Sequence, residues 1–149
     1  MKKTTYKKKK NEKKQIGIRE ILCIGPEIPV DLIKRVCKSS RSSLVIGDGK
    51  SPLVLEDIEK KISVAVLSED VCLSIWAHGS PYLGQYTLKL IKNKMDAADQ
   101  VISILNILYK YVKRSALTNL TTVQLFSCYA GMLSFRSKQF GKSCALILP

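Results

Sequence analysis

Short apolar runs alternate along this chain with longer amphipathic stretches. "REILCIG" (19–25) is apolar, short and closed by Gly25 and Pro26, which predicts a first buried strand. "PVDLIKRVCKSS" then spaces Val30, Ile33, Val36 and Cys37 as one face of a helix, with Pro29 tolerated in a first turn. "SSLVIGDGK" reads as a second strand ending in a Gly-Asp-Gly turn. In "SPLVLEDIEKKISVAVLS" the positions Leu55, Ile58 and Ile62 fit an inward helical stripe, while the β-branched second half fits helix or strand. "VCLSIWAHG" predicts a third strand. In "GQYTLKL", Tyr86, Leu88 and Leu90 alternate with Gln85, Thr87 and Lys89, the period of a half-exposed extra strand or hairpin.

The clearest helix follows. In "DAADQVISILNILYKYVKRS" the residues Ala97, Val101, Ile104, Leu105, Leu108 and Val112 form one stripe, with acids in the first turn and bases in the last, as the helix dipole favours. "TTVQLFSC" and "SCALILP" predict a fourth and a fifth strand. Strands separated by helical segments of this length imply an α/β fold built from βαβ units around a mostly parallel sheet. Sites in such sheets form beyond the carboxyl ends of the strands. His78 follows the third strand and Cys128 the fourth, 50 residues later. If those strands are neighbours, the two side chains meet at one edge. There a thiolate supplies a nucleophile and an imidazole moves the proton that acyl transfer requires.

Composition narrows the alternatives. At 149 residues and 46% apolar, the chain suits one domain with a sizeable core. Its net charge of +13 is uneven: residues 1–14, "MKKTTYKKKKNEKK", carry eight lysines and one glutamate, which leaves +6 for the rest. Residues 1–15 are therefore expected to be a disordered polybasic tail and residues 16–149 the folded domain. The tail lacks arginine and has Tyr6 as its one aromatic residue, so sequence-specific nucleic-acid recognition is not expected. No signal peptide and no transmembrane segment is read from the sequence. Cys23, Cys37, Cys72, Cys128 and Cys144 are odd in number and scattered, with no C-x-x-C pair. This argues against a disulfide framework and a zinc site, and points to the cytoplasm or another reducing compartment, a secreted effector being the exception. "GDGKS" and the "GKS" at 141–143 lack the earlier glycine of a phosphate loop, since Leu44 and Arg136 stand in its place.

An apolar strand ending in His-Gly, followed by an apolar strand ending in Ser-Cys, resembles the clan CD cysteine peptidases. These include caspases, legumain, clostripain, gingipains, separase and the self-cleaving cysteine protease domains of bacterial toxins. The matching blocks are "LSIWAHG", with His78 and Gly79, and "VQLFSC", with Ser127 and Cys128. The resemblance implies a caspase-like three-layer αβα sandwich, here ending early at the C-terminus. It also implies a cysteine endopeptidase, self-processing in some relatives, that needs no cofactor or metal. Cys128 would attack the scissile carbonyl and His78 would protonate the leaving amine. The backbone N–H groups of Gly79 and Cys128 would hold the oxyanion. Asp48, beyond the second strand, would favour a basic residue before the cut, unless it serves its turn alone. The partner is then a protein or peptide substrate and, by analogy with the toxin domains, an anionic phosphate activator. An open edge at the fifth strand would permit a homo-oligomer.

Two other readings use the same residues. One is a catalytically silent caspase-like module that binds a protein partner. The other is a basic α/β protein that binds RNA or anionic phosphates, in which His78 and Cys128 are incidental.

Overall fold

The computed structural model describes residues 17–29, 31–33, 35, 43–92, 96–111, 121–128 and 144–147. The polybasic tail, Val36, Cys37 and Val112 lie outside these residues. The first apolar run forms strand β1 (Ile18–Ile24), whose last four residues are all buried. Burial without alternation means that both faces of the strand are covered, the condition of a central parallel strand. β2 (Ser43–Ile46) pairs along one side of β1 and β3 (Leu67–Trp76) along the other. β6 (Thr121–Phe126) and β7 (Cys144–Ile147) complete a five-stranded sheet in the order β2-β1-β3-β6-β7, every pair parallel. The α/β class and the parallel sheet are those the sequence implies. Among the described residues, β2 and β7 are its two edges.

Helices α1 (Leu55–Ser63) and α2 (Ala97–Tyr111) cover one face. In α1, Ile58 and Ile62 are one turn apart and fully buried, with Glu56 and Asp57 in the first turn and Lys60 and Lys61 in the last. In α2, Val101, Ile104, Leu105 and Leu108 join them against Ile21, Cys23, Leu73, Ile75, Val123 and Leu125. Glu59 ties the two helices at the surface, accepting from Lys110 Nζ at 2.7 Å and from the Tyr111 hydroxyl at 2.9 Å. On the other face, Leu22, Ile24 and Trp76 meet Ile28, Leu32 and Ile33, where a helical turn starts as the Leu32 N–H donates to the Pro29 carbonyl at 3.0 Å.

Two elements depart from the sequence reading. β3 begins at Leu67, inside the stretch whose second half fits helix or strand, and not at Val71. Its pairing with β1 shifts register between Ile18 and Glu20, so the polar residues 68–70 are absorbed by an irregularity. His78 and Gly79 belong to a separate hairpin and not to the end of the third strand. The chain leaves the sheet at Ala77, and β4 (His78–Tyr82) pairs antiparallel with β5 (Gln85–Lys89). Pro81 has no N–H to give a central strand, which suits it to a two-stranded ribbon. The connecting residues Leu83 and Gly84 both have positive φ, +47° and +75°, the backbone of a tight hairpin turn. The alternation read in "GQYTLKL" holds: Tyr86 and Leu88 are buried and Gln85, Thr87 and Lys89 exposed.

Candidate functional site at the carboxyl edge

β3 and β6 are hydrogen-bonded neighbours, and their register is constant: Leu73 with Val123, Ser74 with Gln124, Ile75 with Leu125, Trp76 with Phe126. His78 and Cys128 each stand two residues beyond the last pair. The offset of 50 residues that separates the strands also separates the histidine from the cysteine. In the last pair, the Trp76 and Phe126 rings stack with centroids 4.1 Å apart and planes 11° from parallel. Above the stack, the Ala77 N–H donates to the Phe126 carbonyl at 3.3 Å, the last link before the hairpin diverges.

The hairpin nevertheless stays against the cysteine turn. A Cβ placed on Gly79 would overlap Ser127 Oγ and the Tyr86 hydroxyl and come within 2.7 Å of the Cys128 carbonyl oxygen. Only a residue without a side chain lets the two segments approach so closely. Gly79 and Cys128 are therefore backbone neighbours.

His78 is exposed, and its ring is held from one side. Nε2 lies 2.8 Å from the Glu27 carbonyl oxygen. A carbonyl only accepts, so Nε2 carries the proton, and in the neutral imidazole the lone pair is left on Nδ1. Glu27 adopts φ +62°, in the left-handed region that side chains disfavour. Its carboxylate pairs with Lys89 Nζ at 2.8 Å, and Lys89 is the residue opposite His78 in the hairpin. The Lys89 hydrogen bond, followed by its charge, holds the Glu27 carboxyl below the usual range. Nearby, the Gly25 N–H donates to the Trp76 carbonyl at 2.8 Å, and a Cβ on Gly25 would lie 2.6 Å from the Lys89 carbonyl oxygen. Gly25 thus lets the loop after β1 close over the hairpin, which delivers Glu27 to His78.

The thiols of Cys23, Cys72 and Cys128 differ sharply. Cys23 is fully buried, and burial pushes its thiol up to about 12. Cys72 is partly buried and is also raised, chiefly by desolvation. Cys128 is exposed. A thiol must ionise to react, so Cys128 is the one of the three placed for chemistry in water. Among the described residues no three His, Cys, Asp or Glu side chains are grouped to hold a metal ion. No described helix is long and apolar enough to cross a membrane.

Comparison with family models, with curated proteins and with solved structures returns no match. The site therefore rests on its own geometry.

Asp48 lies elsewhere. Its Oδ1 accepts the N–H groups of Lys50 at 2.8 Å and Ser51 at 3.0 Å, between Gly47 and Gly49, both at positive φ. Those N–H groups lower its carboxyl. Asp48 also lines an open groove of about 630 Å³ with Pro52, Asp57, Lys60 and Lys61, a groove whose lining includes neither His78 nor Cys128. Its role in the turn is what the geometry displays.

Sequence reasoning did not single out Glu27 or Lys89, and it read Tyr86 only as an inward strand position. Tyr86 donates to Ser127 Oγ at 2.6 Å, and Ser127 Oγ in turn reaches the Cys128 carbonyl at 3.3 Å. Glu27 acts through a backbone carbonyl that any residue type possesses, so no side-chain pattern marks it. The Gly25-Pro26 break before it was the one available signal.

Proposed function

We propose that this chain is a caspase-like cysteine peptidase domain, with the αβα layering of that family, in which Cys128 is the nucleophile and His78 the general acid and base. The observation that carries this reading is the β3–β6 register, which sets His78 and Cys128 the same number of residues beyond a shared pair. Gly79 packed on the Cys128 backbone, and the Glu27 carbonyl on His78 Nε2, support it. With Nε2 protonated, Nδ1 is the atom free to exchange a proton. The Cys128 thiol gives its proton to Nδ1, and the sulfur attacks the scissile carbonyl carbon. As the C–N bond breaks, the imidazolium returns the proton to the leaving amine. Water, deprotonated by the same Nδ1, then cleaves the thioester and restores the thiol. The Gly79 and Cys128 N–H groups are assigned to the oxyanion.

The test is iodoacetamide labelling of each cysteine against pH, read by peptide mass spectrometry, in the native protein and in His78→Ala. Fast labelling of Cys128, slowed or moved to higher pH by the substitution, supports a coupled pair. If Cys128 reacts no faster than an unstructured cysteinyl peptide, and His78→Ala changes nothing, the peptidase reading fails.

A further inference from the structure

The hydroxyls of Tyr86 and Ser127 form a short chain that ends on the backbone of Cys128. Tyr86 lies on β5, the hairpin strand that does not carry His78, and is 8% exposed. Its hydroxyl donates to Ser127 Oγ at 2.6 Å, a short bond by the standards of neutral hydroxyls. Ser127 accepts that hydrogen bond with one lone pair and points its own O–H toward the Cys128 carbonyl, a longer contact of 3.3 Å. A hydroxyl that accepts and donates together has one rotor state, so the arrangement is directional. Gly79 lies against both members, since a Cβ there would overlap each hydroxyl. The chain therefore crosses from hairpin to sheet at the place where the backbones of the two motifs touch.

Four features tie it to the cysteine turn. Ser127 is the residue between the last strand residue, Phe126, and Cys128, where β6 gives up its ladder. The parallel pairing ends at Trp76 and Phe126, so the Cys128 backbone has no strand partner from β3. Among the described residues, the Ser127 hydroxyl is the group that supplies the Cys128 carbonyl with a donor. The Tyr86 hydroxyl is also close enough to sense the Cys128 charge: its ionisation is raised first by burial and further by Cys128, with the Ser127 bond opposing.

We propose that Tyr86, acting through Ser127, is a positioning residue for Cys128: the two-hydroxyl chain fixes the turn that presents the thiol beside the hairpin carrying His78. The proposal rests on the reading of His78 and Cys128 as a working pair. Tyr86 touches no reacting atom in this account. Its hydroxyl sets where the sulfur stands, while its ring fills the space under β5.

The test compares the pH profile of Cys128 alkylation in the native protein, Tyr86→Phe, Ser127→Ala and the double variant, with His78→Ala alongside. Tyr86→Phe keeps the ring and removes one oxygen, so the fold survives; an unchanged urea midpoint for Trp76 fluorescence verifies this. The expected result is a roughly tenfold slower labelling of Cys128 in Tyr86→Phe and in Ser127→Ala, about the worth of one hydrogen bond. The double variant should be no slower than either single one, because both remove the same chain. Ser127→Thr, which keeps the hydroxyl, should restore most of the rate. Additive losses, or a Tyr86→Phe profile equal to the native one, overturn the proposal. The two readings separate cleanly. A loss in His78→Ala with none in Tyr86→Phe defeats the positioning role and leaves the pair standing. A loss in Tyr86→Phe with none in His78→Ala defeats the pair and leaves the hydroxyl chain as the control on the thiol.

Discussion

Trp76 and Phe126 face each other in register with their rings 4.1 Å apart, and each is two residues before a member of the candidate pair. The stack closes the paired stretch of β3 and β6. Aromatic pairs contribute about 1 kcal/mol beyond the area they bury. Phe126→Leu should therefore lower stability by roughly 1–2 kcal/mol, the ring interaction plus imperfect packing. A cycle with Trp76→Leu, followed by urea unfolding, should show coupling of about 1 kcal/mol; strict additivity would mean that the rings merely coexist.

Gly79→Ala adds one methyl group against Ser127, Tyr86 and the Cys128 carbonyl. Forcing a methyl into a filled space costs roughly 1–3 kcal/mol. The strain falls on the Cys128 turn, so labelling of Cys128 should change more than the unfolding midpoint. An unaltered labelling profile would show that the turn yields without moving the thiol.

Glu27 holds His78 through its carbonyl, not its carboxylate. Glu27→Gly keeps that carbonyl and suits φ +62°, and should leave the pH profile of Cys128 near native. Glu27→Pro cannot adopt positive φ and should make the profile resemble that of His78→Ala. Equal damage from both substitutions would point to the Lys89 ion pair instead.

Gln100 is buried, and its amide bridges two backbone groups, donating to the Leu88 carbonyl at 2.9 Å and accepting the Ile91 N–H at 3.0 Å. Gln100→Leu orphans both, at about 1–3 kcal/mol for each group left unpaired. The expected outcome is a large fall in the urea midpoint, with the hairpin amides losing protection first. A change of under about 1 kcal/mol would mean that water replaces the amide.

Among the described residues, three lowered carboxylates contribute to an acid limb of stability. Glu27, Asp48 and Glu59 are each lowered, by Lys89, by the Lys50 and Ser51 N–H groups, and by Lys110 with Tyr111. A lowered carboxyl binds fewer protons folded than unfolded, so its contribution is complete above the ordinary carboxylate range. It is lost as pH falls through the depressed values. All three groups are exposed, so the effect is modest and should shrink in high salt. Urea midpoints across acidic pH at low and high salt measure it, and a salt-independent fall would assign the limb to other groups.

The strands were legible because they are short apolar runs bounded by polar or turn residues: "REILCIG" is nearly continuous, and "TTVQLF" alternates Val123 and Leu125 inward. α2 was legible from its stripe and end charges. The start of β3 was not, because residues 68–70 are polar and the register irregularity that absorbs them is a property of the pairing with β1. His78 and Cys128 were visible as two strand endings, yet their place at one sheet edge depended on β3 and β6 being adjacent, which no local pattern specifies. Tyr86 was legible as a buried position but not as a donor, since its acceptor Ser127 lies 41 residues away.

The hairpin β4–β5 forms a two-stranded sheet of its own, secured by Gln100, by Tyr86 and by the bridge between Leu53 and Ile91. Ribbons of two strands are marginal by themselves. Its amides are therefore expected to exchange with solvent ahead of those of β1, β3 and β6. His78 rides on that hairpin and Cys128 does not. In the proposed pair, opening of the ribbon would then part imidazole from thiol without unfolding the protein.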